Sequence, residues 1–512
     1  MLKWIGGGKP DHPMADIKEA RRLLAELPQA NTQKSLEEIT HWIESVVQTE
    51  GFHLGDRLEI IKLLDETGQT YRRKLARDYL NTPRLQKFQE NRMWTLLFSF
   101  WKQTGDAYFK CVLDFEAGAK GAGAIKAELP LVVSRGLRAA AAELKWLQLR
   151  YGPVDEALWE SVSKFYEFAE TRGIAKQVVA LYPGVPEDAS AEREFLKIMM
   201  LWVSSPDGLM PLHIEIAERL IAHFSGAYVM GKARGDLSHC FDLAIRRPPM
   251  RLSPKIPDKP SLRFFSAGEV QNQLQQLIQK VEKTGLPAEL NLGGTFNPGT
   301  VLEVLKHLAL NWSAQPPTRK HERLGVVTRL TVVNGYDHVV DSLGAVALNF
   351  EGEESWVVQN ISAGGFGAII PQIKMEWIQV GMIIGIKPEG MKNWGVGIVR
   401  RISRDEQQQG YIGVQTLTKV AKAVQLRPLD AQGDSGAEGW TDFQPAALLS
   451  NGVASGEATL LMRSGGFASG QSFEMPVEGG KSSIFIPLKL LEQGTDYDLG
   501  KFRAMVRDQS EE

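Results

Sequence analysis

At Pro316 the spacing of apolar residues changes from helical to alternating, and that change divides the 512-residue chain into two kinds of structure. Upstream, over residues 14–225, apolar side chains recur three and four apart. Leu36, Ile39, Trp42, Ile43, Val46 and Val47 share one helical face, and Leu96, Leu97, Phe100 and Trp101 follow the same rule. Ser35-Leu-Glu-Glu38 has the form of a capping box and is expected to open a helix. Pro130, Pro153, Pro183 and Pro211 are expected near helix starts, where a missing N–H does no harm. Arg246–Pro260 holds Pro248, Pro249, Pro254, Pro257 and Pro260, a density that suits an extended connection. Helices are expected again over 267–283 and 300–310.

Downstream of Pro316 the runs are short and β-branched: 326–333, 344–350, 355–362, 365–370, 382–388, 396–402 and 411–417. Turn residues separate them at close spacing, which signals an antiparallel barrel or sandwich. Asp430–Trp440 is rich in glycine and aspartate and reads as a linker. Beyond it, 458–463, 472–476, 482–487 and 502–507 are further strand candidates. The expected organisation is a helical region over 1–245, a proline-rich connection with helices over 246–315, a β-barrel over 316–428, and an acidic linker with a small β-rich module over 429–512.

Composition narrows the class of protein. Hydrophobic residues make up 43% and charged residues 23%, which is globular rather than disordered or collagenous. In the most apolar helical segment the uninterrupted run is only Ile198–Val203, whereas a bilayer span needs about 20 residues. The opening MLKWIGGGKPDHP has no apolar core of a secretory signal, so a cytoplasmic location is expected. Cys111 and Cys240 cannot build a disulfide framework or a four-cysteine zinc site. Net charge is −2, unevenly spread: 429–512 carries 6 basic and 13 acidic groups, and 316–428 carries 13 basic and 10 acidic. That mild excess in the middle is too small for a duplex nucleic-acid binder but admits a small anion.

Several catalytic look-alikes fail on context. Gly433-Asp-Ser-Gly436 imitates a serine-protease loop but lies in the linker. Gly6-Gly-Gly-Lys9 lacks phosphate-loop spacing and a preceding strand. Glu156-Ala-Leu158 imitates the signature tripeptide of cyclic-di-GMP phosphodiesterases without the alternating βα pattern of a barrel enzyme. None of the nine histidines forms H-E-x-x-H or pairs with cysteine at zinc spacing. No catalytic residue, metal or cofactor is assigned.

The informative constellation lies around the first strands of the barrel. Arg319-Lys-His-Glu-Arg323 precedes the first run, and Asn360-Ile-Ser-Ala-Gly-Gly365 joins the third run to the fourth. R-x-x-x-R also occurs at Arg73–Arg77 and Arg247–Arg251, where solvation explains it, whereas [DN]-x-S-x-x-G occurs once. Arginine forks pair with phosphate and with guanine O6 and N7, and they stack on purines. Asn360 and Ser362 are two apart on a strand and share a face. Gly364 and Gly365 permit close approach or a tight turn.

On these residues, 316–424 resembles a PilZ domain, the bacterial six-stranded barrel that binds cyclic di-GMP. Arg319 and Arg323 match its R-x-x-x-R, and Asn360, Ser362 and Gly365 match its [DN]-x-S-x-x-G, with Gly364 between them. GVGIVRRI and GYIGVQTL resemble its later strands. The resemblance implies ligand contacts from Arg319, Arg323, Asn360, Ser362, Gly364 and Gly365, with Thr318 and Arg400 as secondary candidates. Thr318 stands where an arginine often accompanies a stacked ligand dimer. The span from Arg323 to Asn360 is long for the family and implies an elongated hairpin near 336–343.

The function so implied is a non-enzymatic cyclic-di-GMP receptor and adaptor, with a protein partner at its helical region. The alternatives are an enzyme with a catalytic helical region under the barrel's control, and a nucleic-acid-binding barrel, which the charge disfavours.

Overall fold

The computed structural model describes residues 10–82, 85–185, 188–315, 322–344, 353–370, 377–429, 443–449, 456–477 and 481–508. The chain divides into two compact units, one of residues 1–206 and 211–317, the other of 207–210 and 318–512.

The first unit is built on α1 (Ile17–Ala25), α2 (Thr32–Gln48), α3 (Leu54–Asn81), α4 (Lys87–Glu116), α5 (Leu129–Gln148), α6 (Glu156–Thr171), α7 (Ala191–Val203) and α8 (Pro211–His223). The helix expected from Ser35 starts three residues earlier. Asn31 is its cap, accepting from the Lys34 N–H at 3.0 Å, while the Ser35 hydroxyl donates to Pro28 O at 2.9 Å. Pro130 and Pro211 do lie at helix starts. A short ladder of β1 (Val179–Ala180) and β2 (Asp188–Ala189) precedes α7.

Beyond α8 come β3 (Val229–Gly231), β4 (His239–Asp242), β5 (Met250–Arg251) and β6 (Leu262–Ser266), forming a sheet in the order β3-β6-β4-β5. The proline-rich stretch is therefore more than a connection. Met250–Arg251 falls between its prolines and adds an edge strand, where missing donors are tolerated. Helices α9 (Val270–Thr284) and α10 (Pro298–Asn311) close the unit where sequence expects them.

A buried polar network ties the long helices together. Arg135 on α5 is 2% exposed and donates to Leu181 O, the Tyr108 hydroxyl and Glu66 Oε1 at 2.8, 3.1 and 2.7 Å. Asp65 on α3 is fully buried and accepts from Tyr108 and Gln69 at 2.9 and 2.7 Å.

The second unit consists of two barrels. The first comprises β7 (Leu324–Asn334), β8 (Glu354–Ser362), β9 (Gly365–Ile370), β10 (Ile383–Pro388), β11 (Gly395–Arg404) and β12 (Gly410–Thr418). The second comprises β13 (Lys422–Pro428), β14 (Gln444–Leu448), β15 (Glu457–Arg463), β16 (Phe473–Val477), β17 (Lys481–Gln493) and β18 (Tyr497–Asp508). Both are closed, and the rings run β7-β8-β9-β12-β11-β10 and β13-β14-β15-β18-β17-β16. Counted from its own first strand, each reads 1-2-3-6-5-4. The acidic tail is thus a second barrel of the same topology rather than a small module. Its first strand, 422–428, was expected to belong to the barrel before it. The 344–350 run reaches the described residues only at Gly344, and the 430–440 linker lies outside them.

The hairpin expected near 336–343 is instead the helix α11 (Tyr336–Ser342). Gly335, at φ 76°, ends β7, and Tyr336, Val339 and Val340 fall on one helical face. That face enters a core shared by the two barrels, with Val333, Ile383, Val396 and Ile398 from one and Ala447, Leu449, Leu461 and Leu499 from the other. Two polar ties reinforce it. The Tyr336 N–H donates to Asp496 Oδ2 at 2.7 Å, and its hydroxyl donates to Pro445 O. The second barrel keeps its own core of Leu426, Leu460, Phe473, Phe485 and Phe502.

Candidate functional site

The antiparallel register of the first barrel sets which motif residues meet. Leu324 of β7 faces Ile361 of β8, and Gly325 faces Asn360. Arg323, which is exposed, directly precedes Leu324 and so stands at the end of this strand pair next to Ile361 and Ser362. Arg323 and the Asn360–Ser362 segment, distant in sequence, therefore lie at one end of one pair of strands. Arg319 and Thr318 lie outside the described residues.

The β8–β9 turn is built on its own motif. The Ser362 hydroxyl donates to Gly365 O at 3.1 Å, and Ser362 and Gly365 are register partners. The Thr416 N–H on β12 donates to Gly364 O at 3.1 Å, fixing the turn from the other side. A Cβ at Gly365 would stand 2.0 Å from Val414 O. Only glycine permits so close an approach of β9 to β12. Gly365→Ala is accordingly expected to destabilise the barrel by about 1–3 kcal/mol through forced separation of backbone. At Gly367 the atoms nearest to an added Cβ belong to the side-chain amide of Asn360, at 2.8 Å. Gly367→Ala should push that amide aside and leave the unfolding midpoint nearly unchanged. Thermal unfolding of the two variants checks the contrast.

Cross-strand pairing extends the site beyond the motif. Asn360, Gly367 and Gly413 follow one another across β8, β9 and β12, and Arg401 of β11 comes next. A parallel row runs Ser362, Gly365 and Gln415. Register partners point to the same face. Ile412 and Val414, which alternate with Gly413 and Gln415, are buried, so both rows lie on the outside of the barrel. Gly325, Gly367 and Gly413 contribute no side chain to this face, and the Asn360 amide lies over Gly367 and the Arg401 stem beside Gly413. The arginines near this face supply the charge that a phosphate requires.

Asn360 carries the sharpest chemical signal. Its Oδ1 is buried and has no hydrogen-bond partner among the described residues. Its amide lies over Gly367, and a turn of the side chain outward would offer this acceptor to a donor such as a guanine N–H.

Arg400, a secondary candidate from sequence, is already engaged. Its Nε donates to Gln415 Oε1 at 2.8 Å, and its two Nη groups donate to Glu492 of the second barrel at 2.7 and 2.6 Å. Gln415, Gly367, Gly413 and Glu492 were not singled out from sequence as site residues. The glycines at alternate positions in GFGAII were the available sign of this face. Nothing local could have joined Glu492 to Arg400.

Among the described residues no group of three or more His, Cys, Asp or Glu is placed to hold a metal, and no helix is long and apolar enough to cross a membrane. Both cysteines are buried and unpaired, and burial pushes the Cys111 thiol up to about 12.

Residues 18–232 match the family model of the cyclic-di-GMP receptor FimW, N-terminal domain. The match lies in the helical unit, where single motifs gave no family resemblance, and it stops short of the barrel that carries the arginine and Asn-Ser-Gly motifs. Over that span the chain is similar to a receptor of cyclic di-GMP. No curated protein matches the chain.

Proposed function

We propose that this protein is a cyclic-di-GMP receptor and adaptor whose ligand binds on the outer face of the first barrel. The observation that supports the reading is that Arg323 directly precedes Leu324, at the strand end that holds Asn360 and Ser362. The match of 18–232 to a cyclic-di-GMP receptor supports the same ligand from an independent part of the chain. PilZ-type recognition is the finer form of this proposal, with Arg319 and Arg323 on phosphate or guanine, and Asn360 and Ser362 on a base edge. Gly364 and Gly365 let the backbone come close. The helical unit is proposed as the output region that meets a protein partner in the cytoplasm.

The two arginines supply charge-assisted hydrogen bonds and Asn360 an acceptor. None of these groups is a general base or a metal ligand that would activate water, so the ligand should leave intact. Calorimetry of the full chain with cyclic di-GMP, GTP and single-stranded DNA in parallel tests the reading. Saturable binding of cyclic di-GMP is expected, with weak or no response to the others. Accumulation of linear pGpG in proportion to protein would show an enzyme instead, and tight binding of DNA alone would show a nucleic-acid barrel.

A further inference from the structure

Arg400 sits where β11 slips register against β12, between the Val399–Val414 and Arg401–Gly413 pairs. A bulge of this kind re-aims the side chain it frees. The guanidinium Nε reaches Gln415, and Gln415 is the register partner of Gly365. Arg400 is therefore held two strands over from the glycine that ends the Asn-Ser-Gly motif, across β12, with Gln415 between them.

The remaining donors of Arg400 are held by the second barrel. Glu492, near the end of β17, accepts from Nη1 and Nη2 through its two oxygens, and the Tyr497 hydroxyl lies 3.1 Å from Oε1. A planar fork on two oxygens is the geometry with which arginine also takes a phosphate. The pair is accessible to solvent, with the Arg400 and Glu492 side chains 37% and 28% exposed. Opening it returns the carboxylate to water.

We propose that Arg400 is a further phosphate-binding residue of the first barrel, and that Glu492 of the second barrel is its built-in competitor, displaced by the dinucleotide phosphate. This rests on the receptor reading above. The apparent affinity is lowered by the fraction of molecules in which Arg400 is occupied. Ligand binding undoes one tie between the barrels while Tyr336 and the shared core keep them joined. The duplicated barrel thereby acquires a role in setting the concentration at which the receptor responds.

Calorimetry of the full chain with cyclic di-GMP distinguishes the outcomes. Glu492→Gln keeps the size of the side chain and its contact with Tyr497 but removes the charge, and is expected to bind about tenfold tighter. Arg400→Ala is expected to bind about tenfold weaker, and the double variant should match Arg400→Ala. If the parent binds and Glu492→Gln, with an unchanged unfolding midpoint, binds equally or more weakly, the competitor role is wrong. A gain that persists in the Arg400→Ala background is equally contrary to it. Should Glu492→Gln lower the midpoint, Glu492→Asp decides: shorter by one methylene, it withdraws from Arg400 and should also tighten binding, and an unchanged affinity would overturn the proposal. A parent chain that binds no cyclic di-GMP contradicts the receptor reading itself, and this inference with it.

Discussion

Replacing Arg135 by alanine is expected to destabilise the helical unit by about 3–5 kcal/mol, the cost of breaking a buried ion pair from one side. Arg135 joins α3, α4 and the segment after α6 at once, through Glu66, Tyr108 and Leu181 O. It also lies 3.7 Å from the fully buried Asp65 and stacks 4.7 Å over the ring of Tyr182. Burial pushes the Asp65 carboxyl up, while Arg135 and the Tyr108 hydroxyl pull it down. Alanine would leave Asp65 with neutral donors only and Leu181 O without its partner. Arg135→Lys keeps the charge but cannot reach three acceptors with one fork, so it should fall between parent and alanine. Chemical denaturation, following helical signal, measures both. Loss of less than about 1 kcal/mol in the alanine variant would show that water or rearrangement satisfies the network.

How much of this architecture could be read from the chain depended on whether the determining contacts were local. Gly365–Ile370 was legible to the residue, because β-branched alternation and flanking glycines lie within the strand itself. Helices α9 and α10 were legible to within about three residues at each end, because their apolar faces are short-range features. Lys422–Pro428 was assigned to the wrong barrel because only three residues separate it from β12, and nothing local says that its partner is Gln444–Leu448. The insertion after β7 was read as a hairpin, although Tyr336, Val339 and Val340 have helical spacing. Its seven residues are too few for periodicity to decide, and the helix is fixed by a core that the second barrel completes.

The site divides in the same way. Asn360, Ser362 and Gly365 were visible because they form one motif in one turn. Gly367 and Gly413 became site residues only when register placed them side by side across β9 and β12. Glu492 reaches Arg400 across 92 residues of sequence, beyond any spacing rule. The relation of 18–232 to a cyclic-di-GMP receptor is likewise spread over several helices and has no short motif to announce it.

The larger functional effect is expected from the two arginines of the R-x-x-x-R segment. Each charge-assisted contact to phosphate or guanine should contribute about 1.5–3 kcal/mol, so Arg319→Ala or Arg323→Ala alone should weaken binding about tenfold to hundredfold. Asn360→Ala and Ser362→Ala remove neutral hydrogen bonds, at roughly 0.5–1.5 kcal/mol each. Arg73→Ala and Arg247→Ala alter the same local sequence outside the barrel and should bind as the parent does. Raised salt should weaken the parent, because phosphate contacts at an exposed segment are screened.

The most direct measurement is the affinity of the Arg319→Ala, Arg323→Ala double variant for cyclic di-GMP, with its unfolding midpoint matched to the parent. Binding on the outer face of the first barrel requires the double variant to lose at least about two orders of magnitude in affinity. A folded double variant that binds as tightly as the parent would place the ligand elsewhere and contradict the account.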